Sequence, residues 1–178
     1  MLKFYTKMAF SGFKAKSIIK KTNKLLKNKS NSLQIAQNIQ TVGVIVNEGS
    51  DFNFELLKQL QRDVNSGSSN FLVLTCKKTN DSYNEFRGII LKESDFSWNG
   101  AIKTNEIKEF LEKPFDMLID FTNNTEVYNN YLVAKSNAKF KVGYAQNDER
   151  LYDLMIEADS SKLFIAELIK YLKILKKL

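Results

Sequence analysis

Histidine is absent from this chain of 178 residues, and cysteine and proline occur once each. Without histidine, the chain has no Ser-His-Asp triad, no Cys–His pair and no imidazole ligand for a metal ion. Its seven glycines form neither of the common glycine-rich loops that hold phosphates. These absences favour a protein with no catalytic residue, no metal site and no cofactor over an enzyme.

The single cysteine, Cys76, excludes a disulfide within the chain and fits a reducing compartment. It lies in the apolar run FLVLTCKK, which favours a buried and unreactive thiol. No apolar stretch approaches the roughly 20 residues of a membrane-spanning helix. The start MLKFYTKMAF lacks the features of a secretory signal. We therefore expect a cytoplasmic protein without an integral membrane segment.

Negative charge is missing from residues 1–46, which hold nine lysines and neither Asp nor Glu. The rest of the chain has 18 Lys and Arg against 20 Asp and Glu, so the N-terminal segment carries the whole positive excess. Such asymmetry indicates a polyanionic partner, either nucleic acid or an anionic membrane surface. We divide the chain into a basic arm and linker, residues 1–40, and a near-neutral domain, residues 41–178.

Apolar residues recur at helical spacing between about Lys14 and Lys27, and lysines fill most of the remaining positions. This pattern predicts a basic amphipathic helix. Its lysines can neutralise RNA phosphates, and interleaved aromatic residues can stack on exposed bases. The candidate RNA contacts are Lys3, Lys7, Lys14, Lys16, Lys20, Lys21, Lys24, Lys27 and Lys29, together with Phe4, Tyr5, Phe10 and Phe13.

The same pattern suits two other placements of the arm. It could lie on an anionic membrane surface, or its apolar stripe could dock on the domain and leave the lysines solvated. The arm has no acidic residue to pair with its lysines, so a free arm would be a poor helix without a polyanion to relieve the repulsion. We therefore favour RNA as the partner, and ribosomal RNA in particular.

Short apolar runs alternate with helical patterns after residue 40. The predicted strands are 41–46, 71–78, 86–91, 115–122, 140–145 and 151–158, the third being short or at an edge. The predicted helices run from a cap at Ser50 or Asp51 to Val64, over 105–112, within 123–137, and from about Lys162 to Lys177. This alternation predicts a three-layer α/β sandwich around a mostly parallel sheet of five or six strands.

Two features of this domain concern its core. The last helix is expected to face the core with Leu163, Ile165, Leu168, Ile169, Leu172 and Leu175. Trp98 stands beside the dipeptide Asn99-Gly100, which is a strong turn signal. A turn would expose the indole to a partner or a base, but we favour an aromatic plug that closes one end of the core.

Polar residues follow the predicted strands at the edge where open α/β sheets bind ligands. The candidate contacts for a sugar or nucleotide are Asn47, Glu48, Asp120, Asn123 and Asn124. Asn, Asp and Thr also occur at such places because they cap helices and form turns. We favour the capping interpretation.

Longer stretches carry two resemblances. TVGVIV, DFSWNGAIK, PFDMLIDF, AKFKVGYAQNDERLYDLMIEAD and ELIKYLKIL together resemble a bacterial family of unknown function with a lysine-rich N-terminus and a Rossmann-like α/β domain. That likeness covers most of residues 41–175 and implies no activity. FDMLIDF and AKFKVGYA, in that order, resemble the first half of heptosyltransferase-type glycosyltransferases. This second likeness implies a fold and no catalytic residue, because the chain is too short for the second domain.

Overall fold

The computed structural model describes residues 2–27, 38–47, 51, 53–64, 67–77, 88–122, 127–175 and 177, and in the first helix it describes side chains from residue 12 onward. The helices are α1 Leu2–Lys27, α2 Phe54–Asp63, α3 Asn105–Glu112, α4 Val127–Lys135 and α5 Ser161–Ile174. The strands are β1 Val42–Asn47, β2 Phe71–Lys77, β3 Ile89–Lys92, β4 Met117–Asp120, β5 Lys141–Tyr144 and β6 Leu154–Ile156.

The six strands form one sheet in the order β3-β2-β1-β4-β5-β6, and every neighbouring pair is parallel. The order reverses between β1 and β4, as in Rossmann-like folds. The predicted α/β fold with a parallel sheet is thereby confirmed. The strand expected to be short or peripheral, β3, lies at one edge.

Helices cover both faces of this sheet. On one face, Leu60 of α2 and Phe164 of α5 pack with Val44 of β1. On the other face, residues of α3 and α4 pack with Ile45 of β1. Residues 42–46 of β1 are buried throughout, which explains their unbroken apolar run. The two cores give the predicted three layers.

Helix α1 adds a further element outside these layers. It packs against α4, and its fully buried Ile18 joins the core formed with α3 and α4. The helix begins at Leu2, about three turns before the predicted start at Lys14. The apolar stripe of the arm therefore docks on its own domain.

The predicted cap of α2 was wrong. The Asn53 side chain accepts a hydrogen bond from the backbone N–H of Leu56 at 3.0 Å, whereas Ser50 lies outside the described residues. Asp51 instead accepts the backbone N–H of Ser161 at 2.7 Å, across 110 residues of chain. An Asp near a helix start can serve a second helix, and spacing along the sequence does not reveal this.

The predicted core face of α5 was wrong at two positions. Leu163 is 53% exposed and Leu175 is also exposed, whereas Phe164 is fully buried. The buried stripe of the helix runs from Phe164 through Leu168 to Leu172. Two adjacent stripes of this helix are apolar, so the helical period alone did not identify which of them meets the sheet.

Candidate nucleic-acid interface

Helix α1 docks through residues spaced four apart. Ile18 and Thr22 are both buried, and the Thr22 hydroxyl donates to the carbonyl of Ile18 at 3.0 Å. Because this bond satisfies the hydroxyl within the helix, Thr22 can be buried without an unpaired polar group. Ser17 adds a bond from its hydroxyl to the carbonyl of Asn99 at 2.7 Å.

Lys14 anchors the same face of α1. Its side chain is only 13% exposed and its Nζ lies 3.8 Å from Glu93 Oε1, while the ammonium also donates to the Glu93 carbonyl. Nζ stands 5.9 Å from the centroid of the Tyr128 ring, whose hydroxyl donates to Glu93 Oε1 at 3.1 Å. Desolvation lowers the pKa of Lys14 against the opposing pull of Glu93. The structure thus engages this predicted phosphate contact with Glu93, where α1 meets the domain.

The opposite face of α1 is basic and solvent-exposed. At 3.6 residues per turn, Lys16, Lys20, Lys24 and Lys27 lie on the side away from Ile18, and all four are exposed. They span about 16 Å of helix axis. Within the described part of the chain, none of the four has an acidic partner. Lys21, at the flank, is half-buried.

A second basic group borders the C-terminal end of α1. Lys27 and Arg150 both line a shallow pocket of about 380 Å³. Arg150 forms a two-pronged pair with Asp148, at 2.9 Å from Nε to Oδ1 and 2.6 Å from Nη2 to Oδ2. The guanidinium lowers the pKa of Asp148. Arg150 therefore extends the basic surface with its charge partly neutralised.

Trp98 does not close the core as predicted. Its side chain is 76% exposed, whereas Phe96, two residues before it, and Ile102, four residues after it, enter the core. These two residues form an antiparallel bridge, so the turn between them projects outward. Trp98 is therefore a surface aromatic residue at the tip of a turn.

Asp120 is the central residue of a separate polar cluster at the carboxyl ends of β4 and β5. Its carboxylate accepts the backbone N–H of Thr122 at 2.9 Å and the hydroxyl of Tyr152 at 2.6 Å. Burial raises the pKa of Asp120 to about 6, against the lowering effect of hydrogen bonds from Tyr152 and from the side chain and backbone of Thr122. Gly143 leaves room for the Tyr152 ring, because a Cβ at residue 143 would lie 2.3 Å from Tyr152 Cε1.

Amide side chains extend this cluster. The Asn147 amide donates to the Thr122 carbonyl at 2.9 Å and to the Tyr152 hydroxyl at 3.3 Å. Asn129 donates to Asn47 Oδ1 at 3.1 Å. Among the described residues, Asn147 Oδ1 is buried without a hydrogen-bond partner. Sequence reasoning named Asp120 and Asn47 but missed Tyr152 and Asn129, which lie 32 and 82 residues further along the chain and form no motif with them.

Several predicted contacts lie outside what the structure describes. Lys3, Phe4, Tyr5, Lys7 and Phe10 belong to α1, but their side chains are outside the described residues, as are residues Lys29, Glu48, Asn123 and Asn124. In the described ranges, no cluster of Cys, Asp and Glu could hold a metal ion. No helix there is long and apolar enough to cross a membrane.

One protein-family model matches residues 14–175, and its description is a family of unknown function. The match begins inside α1 and so takes in the docked half of the basic helix together with the α/β domain. No curated protein and no solved structure matches the chain. The resemblance to glycosyltransferases therefore stays a prediction.

Proposed function

Because the chain belongs to DUF6913, a family of unknown function, we propose its function from its own geometry: it binds RNA through the exposed face of α1 and catalyses no reaction. Lys16, Lys20, Lys24 and Lys27 form this face, which we call the lysine face. They would pair with successive phosphates and release the counterions that those phosphates hold. The α/β domain would dock beside the helix.

One observation carries this proposal: α1 uses its apolar face for docking and keeps its lysine face free. Ile18 and Thr22 are buried against the domain, while the lysines opposite them are exposed. The lysines of a helix without acidic residues repel one another. Docking of the other face on the domain leaves four of these lysines together on the exposed side. A polyanion that lies along this side relieves the repulsion.

A membrane surface fits the described part of α1 less well. An interfacial helix buries its continuous apolar face in the lipid, whereas here Ile18 and its neighbours bury that face in protein. Of the exposed apolar side chains, Ile19 lies on one flank of the lysines, Phe13 lies among them and Leu25 lies toward the docked side, so they form no single stripe. Charge without a free apolar face favours nucleic acid.

Ribosomal RNA is the target that we propose to test first, because it offers dense phosphates on a folded surface beside which a compact domain can dock. Lysates are sedimented through sucrose gradients at low and high salt. The test variant changes Lys16, Lys20, Lys24 and Lys27 to Gln. The control variant changes Lys58, Lys162, Lys170 and Lys173 to Gln, which removes the same charge from α2 and α5 on the opposite side of the sheet.

We expect the unchanged protein and the control to migrate with ribosomal particles at low salt and to leave them at high salt. The variant of the lysine face should remain at the top of the gradient. An equal loss of co-migration in both variants would mean that net charge alone drives binding, and would contradict binding through the lysine face. If the unchanged protein never co-migrates, purified RNA and anionic vesicles are compared next, and binding to vesicles alone would overturn the RNA proposal.

The strand-end cluster favours a second candidate function, the binding of a sugar or nucleotide. Its support is the buried polar atom Asn147 Oδ1, which has no partner among the described residues. Buried polar atoms normally have partners, and a ligand hydroxyl could supply one. A thermal-shift panel of nucleotides and nucleotide sugars tests this, and no stabilisation by any member would contradict it.

A further inference from the structure

Two exposed aromatic side chains flank the lysine face. Trp98 is 76% exposed and Phe13 is 70% exposed. A large aromatic side chain gains hydrophobic free energy when it is buried, so these two rings beside a row of lysines are available to a partner.

The turn that carries Trp98 is held rigidly. Ser97 and Ala101 are joined by two hydrogen bonds: the Ser97 N–H donates to the Ala101 carbonyl at 2.8 Å, and the Ala101 N–H donates to the Ser97 side-chain Oγ at 3.0 Å. The Gly100 N–H donates to the Ser97 carbonyl at 2.9 Å. Asn99 Oδ1 also accepts the Ala101 N–H at 3.1 Å. These bonds close the turn around Trp98, so its indole is presented without a further ordering cost from the backbone.

The same turn is attached to α1. The Ser17 hydroxyl bonds the carbonyl of Asn99, the residue after Trp98, at 2.7 Å. Residues three and four apart on a helix are neighbours, so Phe13 and Lys20 lie one turn to either side of Ser17. Lys24 follows one further turn along the same side. Along this flank, Phe13 therefore comes first, the turn that carries Trp98 comes next, and Lys20 and Lys24 follow.

We infer that this flank binds single-stranded RNA, with unpaired bases stacked on Trp98 and Phe13 and the adjoining phosphates held by Lys20 and Lys24. This inference rests on the proposed function and adds the class of RNA to it. Basic side chains alone bind single and double strands alike, because both present phosphates. Aromatic side chains beside them select unpaired strands, since only splayed bases offer a free face for stacking.

The chain contains one tryptophan, so the intrinsic fluorescence of the full-length protein reports on Trp98 alone. Three probes are titrated: a short unstructured RNA, the same RNA annealed to its complement, and inorganic polyphosphate. Polyphosphate carries the charge without bases. We expect the single strand to quench Trp98, and polyphosphate to compete for the protein without quenching it.

Two variants extend the test. Trp98→Ala and Phe13→Ala should each weaken binding of the single strand about tenfold and change duplex binding little. The matched control is Tyr171→Ala, which removes an exposed aromatic ring from α5, on the far side of the sheet. It should leave both affinities unchanged. The fluorescence titration uses the unchanged protein, so it tests the inference even if a variant is poorly folded.

The outcomes separate this inference from the proposal beneath it. If the RNA binds through the lysine face, but Trp98 is neither quenched nor required, the proposed function stands and the single-strand inference is overturned. Equal quenching by the duplex would likewise overturn it. If neither RNA binds, both fail.

Discussion

Ile18 of α1 lies directly against Gly100: a Cβ at residue 100 would stand 2.7 Å from Ile18 Cγ1. Gly100 also has a φ of 74°, which favours glycine over residues with a side chain. The turn signal Asn99-Gly100 thus has a second role. Because Gly100 has no side chain, Ile18 of the basic helix can pack directly against the turn. The docking of α1 and the presentation of Trp98 depend on the same turn.

Gly100→Ala should therefore loosen α1. The left-handed backbone costs roughly 1–2 kcal/mol for alanine, and the methyl group adds a clash with Ile18. We expect a lower melting temperature and faster trypsin cleavage at the α1 lysines. Gly67→Ala is the control, because residue 67 has a φ of −62° and open space around it. Unchanged cleavage in Gly100→Ala would contradict this account of the docking.

Substitutions of Lys14 and Lys16 should have different effects on stability and on RNA binding, although the two residues are only two positions apart. Lys14→Gln removes an ammonium whose bonds to Glu93 are offset by its desolvation, so it should change the free energy of unfolding by no more than about 1 kcal/mol. Its effect on the salt dependence of RNA binding should be small. Lys16→Gln should leave stability unchanged and reduce the slope of log K against log salt by about 0.7. Denaturant titrations and binding at several salt concentrations measure both, and identical behaviour of the two variants would contradict the assignment.

Much of the fold follows from local pattern. The run at β1 is apolar throughout because both faces of the strand are covered, and α3 was predicted with its observed bounds, 105–112. Local pattern does not identify the buried face of a helix where two neighbouring faces are equally apolar, as with Leu163 and Phe164 of α5. It also fails for Trp98, since an aromatic residue in a turn suits a plug and a surface contact equally well.

The candidate sites were less accessible to sequence reasoning. The basic face of α1 was visible as a collective charge, but the internal use of Lys14 depends on Glu93, which is 79 residues away. Asp120 was visible at a strand end, whereas its partner Tyr152 stands 32 residues later and precedes β6. Only the parallel pairing of β4, β5 and β6 brings them together. Such pairs arise from topology, and no spacing rule encodes them.

Tyr152→Phe should be markedly destabilising. The variant removes the hydroxyl that donates to Asp120 at 2.6 Å and leaves a buried carboxyl oxygen without that donor. Such a loss costs about 1–3 kcal/mol. The cost should be larger above the pKa of Asp120, where the carboxylate is charged. Tyr144→Phe is the control, since that buried hydroxyl lies 3.3 Å from Ser161 Oγ and its bond is weaker. Equal losses, measured by denaturant unfolding, would contradict the role of the pair.

Asp120 should also make stability depend on pH in an unusual direction. The pKa of Asp120 is about 6 in the folded protein against 3.8 for a solvated aspartate, so between these values the folded state binds more protons than the unfolded state. Stability from this group is therefore fully present below about pH 4 and is lost as the pH rises through about 6. Asp116 behaves oppositely: burial disfavours its charge, but bonds from Lys139, Thr41 and Gln40 outweigh burial and lower its pKa.

Asp120→Asn isolates this contribution, because every other carboxyl is retained in the variant. The difference in free energy of unfolding between the unchanged protein and Asp120→Asn should shift by about 1.4 kcal/mol in favour of the unchanged protein between about pH 7 and about pH 5. Urea titrations of both proteins at the two pH values measure it. The absolute stability of the variant does not matter, since only the change in the difference is used. Parallel pH profiles would show that Asp120 ionises normally in the folded protein and would contradict its burial beneath the strand ends.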